Sequence, residues 1–220
     1  WFEEPLLDGW SLARCPASID ATPAVMAALD ALERWSIEAA QVVSAADHVG
    51  VLIASIHSDL RALAERFGYD VTPWHRWLEA LEAQASLGEV HVGLTHGDVQ
   101  PGNIMVHPDG AGATLIDWEH CAERMLPYDR LVIALGARYQ RELALRLMGF
   151  VAGERLPFWY EQPELSADRK TLVARFLLED IGFLAKEAAA GPYRDVTDGL
   201  RAREAVLREL GPELGVLLGA

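Results

Sequence analysis

The chain holds 220 residues, 51% hydrophobic and 24% charged, enough apolar material for one large core or two small ones. Its formal net charge is −14 and its only lysines are Lys170 and Lys186, so nucleic-acid binding by counterion release has no support. No apolar run nears the roughly 20 residues a helix needs to cross a bilayer, and Cys15 and Cys121 lack the spacing of a disulfide framework or a zinc site, which fits a reducing, cytoplasmic setting.

The chain opens on an apolar, strand-like run, Trp1 to Leu7, without an initiating methionine, and is expected to be an interior segment of something longer. Asp8-Gly9 signals a turn, and Pro16 to Thr22 a connector. Apolar residues three or four apart predict a helix over Pro23 to Val43 (Val25, Met26, Leu29, Leu32, Trp35, Ile37) and another over Asp47 to Phe67 (Leu52, Ile56, Leu60, Leu63), with Gly68 at its stop. A shorter helix carries Trp74, Trp77, Leu78 and Leu81. Val90, Val92 and Leu94 then alternate with polar neighbours as in a half-buried strand. Asn103 to His107 and Ala113 to Trp118 read as a hairpin around Pro108-Asp109-Gly110. Helical periodicity returns over Asp129 to Phe150, Ser166 to Ala190 with Ser166 as N-cap, and Val196 to Leu210; Pro157, Pro163 and Pro192 fall between these blocks.

The chemistry is concentrated in Thr95-His96-Gly97-Asp98-Val99-Gln100-Pro101-Gly102-Asn103, followed by Leu115-Ile116-Asp117-Trp118-Glu119. The interval from Asp98 to Asn103 matches the H-R-D-x-x-x-x-N catalytic loop of protein kinases, and Asp117 follows on a later strand as the kinase metal-binding aspartate does. Phosphoryl transfer needs a metal held by hard oxygens and a carboxylate that orients the acceptor. Asn103 and Asp117 supply the oxygens for Mg²⁺, and Asp98 is left to accept the hydroxyl proton. Pro101-Gly102 makes a tight turn between them, Gly97 removes a side chain where substrate would approach, and His96 completes the set as an orienting residue.

With Gly97 in place of the kinase arginine, residues 94 to 129 resemble the aminoglycoside phosphotransferase and choline kinase family, whose loop commonly reads H-G-D-x-x-x-x-N before an I-D-[WF]-E-like segment. Glu3-Glu4-Pro5-Leu6 resembles its hinge, and Ala54-Ser55-Ile56-His57 its pre-catalytic helix. The resemblance implies an α+β, mainly helical chain: the C-terminal lobe of a protein-kinase-like fold. Residues 1–12 would be a hinge-like strand and connector from a missing N-terminal lobe and 13–220 the helical catalytic lobe, with the site at 94–129 and a helical subdomain over 129–220. It implies ATP- and Mg²⁺-dependent transfer of the γ-phosphate to a small-molecule hydroxyl, such as that of an aminoglycoside or amino alcohol. Asp129 would tether the catalytic loop, Met105 and Ile116 would floor the adenine ring, and backbone near Glu4 and Leu6 would bond its edge.

Trp118, Glu119, Trp159, Tyr160, Glu179 and Asp180 are candidates for the acceptor pocket, each weighed against core packing or a solvated face. His57 reads as a satisfied core histidine, and His120 and Cys121 as lining. The acidic charge favours a cationic acceptor, although excess acid also serves solubility. The chain has no G-x-G-x-x-G loop, no P-loop, and no lysine before Asp98, so half of an ATP site is not in it. The competing reading is a free-standing kinase-like lobe that scaffolds; a metallophosphoesterase would need D-x-H and G-N-H motifs that are not present.

Overall fold

The computed structural model describes residues 8–160, 168–191 and 197–211. In chain order its elements are β1 (Trp10–Ser11), α1 (Thr22–Glu38), β2 (Gln41–Ser44), α2 (Ala45–Phe67), α3 (Thr72–Ala85), β3 (Glu89–Thr95), β4 (Ile104–Val106), β5 (Ala113–Leu115) and β6 (Ala122–Met125). The helices α4 (Tyr128–Ala134), α5 (Leu143–Val151), α6 (Arg169–Ala190) and α7 (Asp198–Leu210) follow. The described chain forms two compact units. One takes the described residues up to Gln41, Val92–Arg138 and Leu156–Tyr160; the other takes Val42–His91, Tyr139–Arg155 and the described residues from Asp168 on. Among the described residues no helix is long and apolar enough to cross a membrane.

In the first unit β1, β4 and β5 form an antiparallel sheet in that order, Ile104 facing Leu115 and Met105 facing Thr114 and Ser11. This is the expected hairpin, with its strands shorter than the apolar run because Asn103 is already in a 3₁₀ turn. The strand period of two puts Ile104 and Val106 into a core with Val25, Leu29 and Leu32 of α1, Val99 and Ile133. Met105, on the other face, is half-buried. Val92–Thr95 of β3 pairs antiparallel with β6, a strand the sequence reading did not separate from the residues around it.

Arg130 ties this unit together. Its guanidinium is fully buried and donates to both carboxylate oxygens of Glu33 (2.6 and 2.8 Å), to Asp30 (2.8 Å) and to the Phe158 carbonyl (2.9 Å). The Tyr160 ring lies 4.3 Å from the guanidinium carbon, and its hydroxyl donates to Glu33 Oε2 at 3.0 Å. Burial and the Glu33 carboxylate push the Tyr160 phenol up.

The helix expected over Asp129 to Phe150 is two helices. Gly136, at φ +56°, closes α4 in a Schellman motif: its own N–H reaches the Ile133 carbonyl and that of Ala137 reaches Val132. The apolar spacing continues across the stop, which hides it from periodicity. Likewise α1 ends at Glu38 and Val43 falls in β2, where adjacent β-branched Val42 and Val43 favour a strand.

In the second unit α6 packs against α2, α3, α5 and α7. Every residue from Thr171 to Ile181 is buried. Its N-cap is Asp168, whose carboxylate accepts the N–H groups of Lys170 and Thr171 and the Thr171 hydroxyl; against burial, these bonds hold that carboxyl below the usual range. Ser166, expected in that role, lies outside the described residues. Arg175, buried on α6, donates to the Ala85 and Leu87 carbonyls and caps the end of α3. His57 is half-buried and stacks on His75 with ring centroids 5.2 Å apart, so it is an inter-helix contact of α2 with α3 and not a core histidine.

Helix α2 runs as expected from an N-cap at Ser44 to Gly68, which sits at φ +65° with open space around the position of a Cβ. Gly68→Ala should therefore cost about 1 kcal/mol, the left-handed backbone penalty alone, and thermal unfolding of the variant would read it.

Candidate active site

Strand β3 delivers Thr95 into the catalytic-type loop, where its hydroxyl donates to the Ala122 carbonyl (2.9 Å) and accepts from Arg124 Nη1 (3.0 Å). His96 follows, fully buried. Its Nδ1 accepts the N–H of Asp98 at 3.3 Å, so Nε2 carries the hydrogen and donates to the Ile116 carbonyl at 2.8 Å. Both ring nitrogens are committed to the backbone, and the imidazole's work is to join the loop to the strand before Asp117.

Asp129, near the start of α4, grips the loop from beneath. Its Oδ2 accepts the N–H of His96 at 2.7 Å and its Oδ1 that of Gly97 at 2.8 Å. Burial pushes the carboxyl above the ordinary aspartate range, and the two N–H groups and the nearby Arg124 guanidinium pull it back. Gly97 has φ +88°, and a Cβ there would stand 2.3 Å from the His120 carbonyl oxygen and 2.6 Å from Arg124 Nη1. The expectation that this glycine clears space for substrate is thus corrected: the space is filled by the protein's own backbone and arginine. Arg124 also packs over the Tyr128 ring at 5.0 Å.

Asp98, 7% exposed, has its carboxylate held on both sides. Oδ2 accepts from Asn103 Nδ2 (2.9 Å) and Gln100 Nε2 (2.8 Å), and Oδ1 accepts from Arg138 Nε (2.6 Å). The Asn103 amide also donates to the Asp98 carbonyl at 3.0 Å. Both amide hydrogens are therefore directed at Asp98, and the Asn103 side-chain oxygen is left as an acceptor.

Asp117 is joined to this loop through its neighbour. The N–H of Ile116 donates to the Asn103 carbonyl at 3.0 Å while the carbonyl of Ile116 accepts from His96. Asp117 itself is exposed and sits at φ +66°, ψ +63°. A left-handed aspartate between a strand and a 3₁₀ turn costs on the order of 1 kcal/mol or more and is retained where it aims a side chain. Among the described residues no three His, Cys, Asp or Glu side chains gather as a metal cage. The available set is instead one amide oxygen and one carboxylate, both hard donors. Such a pair suits Mg²⁺, which keeps waters and takes further ligands from substrate phosphates.

Around this centre Trp118 is 42% exposed, packs its ring 4.6 Å from His96 and 6.4 Å from Trp35, and donates from Nε1 to the Leu115 carbonyl. Glu119 is exposed and pairs with His120 at 3.3 Å. Met105 and Ile116 are half-buried, as is Trp159, while Tyr160 belongs to the Arg130 cluster. Cys121 is half-buried, and burial together with the Asp129 carboxylate pushes its thiol up. Glu4 and Leu6 lie outside the described residues. In the second unit Glu179 is buried against His48 of α2 (2.8 Å) and Asp180 is fully buried against Arg203 of α7. Their carboxylates are taken by partners inside the unit, as acids on an otherwise buried helix must be.

Sequence reasoning missed Arg138, Gln100, Arg124 and Trp35. Gln100, two residues past Asp98, could have been suspected from its place in the loop. Arg138 gives no signal, because nothing in its local pattern shows that the chain turns back at Gly136.

A helical lobe with a short β hairpin, whose loop presents an aspartate, an asparagine and a second aspartate in this arrangement, defines a kinase-like phosphotransferase class. The sequence profile of the phosphotransferase enzyme family (APH) matches residues 8–153, and the chain belongs to that family. Among solved structures it is similar to a choline/ethanolamine kinase family protein from Mesorhizobium loti, at 15% identity and a TM-score of 0.50. That similarity covers 75% of this chain and 56% of the other, so this chain spans little more than half the length of that protein. No curated protein matches the chain. The likeness bears out the fold: mainly helical, with small antiparallel sheets.

Proposed function

We propose that the protein transfers the γ-phosphoryl group of ATP to a hydroxyl of a small molecule in a Mg²⁺-dependent reaction. Asp98 is the base and Asn103 and Asp117 are the metal ligands. The observation that carries this reading is the orientation of Asn103: both of its amide hydrogens go to Asp98, so base and metal ligand are one hydrogen-bonded unit and the side-chain oxygen is left to accept a metal. When bound, Mg²⁺ would neutralise charge on the transferred phosphoryl group and the leaving nucleotide.

The chain's own residues do the rest. Asp98 accepts the acceptor's proton as the hydroxyl oxygen bonds to the γ-phosphorus, and the bond to the ADP oxygen breaks. His96 and Asp129 keep the loop in place by backbone bonds. Met105 and Ile116 are read as an apolar floor for the adenine. The net charge of −14 favours a cationic acceptor, for which an aminoglycoside or amino alcohol is the natural class. A cytoplasmic setting, where ATP is supplied, accompanies this reading.

The test is ADP release by the protein of the complete reading frame, with a panel of aminoglycosides and amino alcohols, in Mg²⁺ and in EDTA. Acceptor-stimulated, EDTA-sensitive turnover is expected. Absence of turnover with every acceptor would reject the enzyme reading and leave a scaffolding lobe in its place.

A further inference from the structure

Helix α4 holds the catalytic loop from both of its ends, with opposite chemistry. At its start Asp129 takes the loop's donors, the N–H groups of His96 and Gly97. Just past its Gly136 stop, Arg138 takes the loop's acceptors: Nη2 donates to the Gly97 carbonyl at 3.0 Å and Nε to Asp98 Oδ1 at 2.6 Å. Arg138 Nη2 also donates to the Tyr128 hydroxyl at 3.3 Å, back at the start of the same helix. The Schellman turn is what returns the chain to the loop.

We propose that Arg138 is the positioning residue of the base, selecting which oxygen of Asp98 receives the acceptor proton; this rests on the phosphotransfer reading above. An ionised carboxylate has about four lone-pair sites. On Oδ2 two are taken, by Asn103 and Gln100, and on Oδ1 one is taken by Arg138. The remaining site on Oδ1 is the one open to a hydroxyl. Arg138 thus fixes the side-chain torsion of Asp98 and with it the direction of that site. The role calls for arginine specifically, because a planar fork reaches the Gly97 carbonyl and the Asp98 carboxylate together, whereas a lysine ammonium is a single point charge on a flexible stem.

Arg138→Ala and Arg138→Lys, made in the protein of the complete reading frame, test this. In Arg138→Ala kcat should fall about 100-fold, the scale of a base misplaced by about 1 Å, with KM for ATP and acceptor unchanged, while the lost bonds to the Gly97 carbonyl and the Asp98 carboxylate lower the melting temperature as well. Guanidinium ion, at concentrations too low to denature, should restore part of the Arg138→Ala rate and none of the rate of Asp98→Asn. Arg138→Lys should stay slow despite its charge.

A wild-type kcat in Arg138→Ala, or full activity in Arg138→Lys, would overturn the positioning role while leaving the phosphotransferase reading intact. Loss of activity that guanidinium does not relieve would reduce Arg138 to a structural residue and overturn it equally. An inactive wild type would sink both proposals at once.

Discussion

Asp98→Asn is expected to lower kcat by about 10²- to 10⁴-fold, the usual contribution of a positioned general base, without unfolding the protein. The substitution keeps the shape of the side chain and removes its capacity to accept the hydroxyl proton. It also exchanges one acceptor oxygen for a donor, and no orientation suits every neighbour. The new amide group faces either Arg138 Nε or the amides of Asn103 and Gln100, all of them donors. A loss of about 1–3 kcal/mol should accompany the activity defect. Steady-state turnover beside thermal unfolding separates the two effects. A variant that turned over at the wild-type rate would remove Asp98 from the base role.

The second large effect is expected at Asp129. In Asp129→Ala the N–H groups of His96 and Gly97 lose the carboxylate that satisfies both, and they are buried too deeply for easy replacement by water. At about 1–3 kcal/mol for each orphaned donor, the summed cost is about 2–6 kcal/mol, with loss of activity as the loop relaxes. Asp129→Asn retains one acceptor oxygen and should fall between wild type and Asp129→Ala. Denaturant unfolding of the three proteins ranks them, and equal stability of Asp129→Ala and wild type would mean that the tether holds nothing in place.

The elements legible in the sequence were those whose signal is local. The stripe along α2 and the stop at Gly68, and the turn between β4 and β5, follow from spacing and turn chemistry alone. The family was legible for a different reason: the loop from His96 to Asn103 and the segment from Ile116 to Glu119 carry its motif in a short stretch of sequence.

What stayed hidden depends on contacts between distant parts of the chain. The reason for Gly97 lies in the His120 carbonyl and Arg124. Glu179 and Asp180 look like candidates for an acceptor pocket until His48 and Arg203 are found beside them. The stop at Gly136 is masked because the chain stays apolar on both sides, and Arg138 has meaning only once that stop turns the backbone toward Asp98.

The ties that organise the loop have a kinetic consequence. They close over intervals of 5 residues (Asn103 to Asp98), 20 (His96 to Ile116), 33 (His96 to Asp129) and 40 (Arg138 to Asp98). The clamp of Arg130 on Glu33 spans 97, and Tyr160 to Glu33 spans 127. Closure entropy grows only slowly with length, about 0.6 kcal/mol per doubling, yet contacts close in sequence are the ones a folding chain reaches first. In this unit the candidate site lies in the early-closing stretch, and α1 with the segment around Tyr160 joins it through the late-closing one. A chain still searching for its Glu33 to Arg130 contact would already have Asp98, Asn103, Asp117 and both ties to α4 within reach of one another.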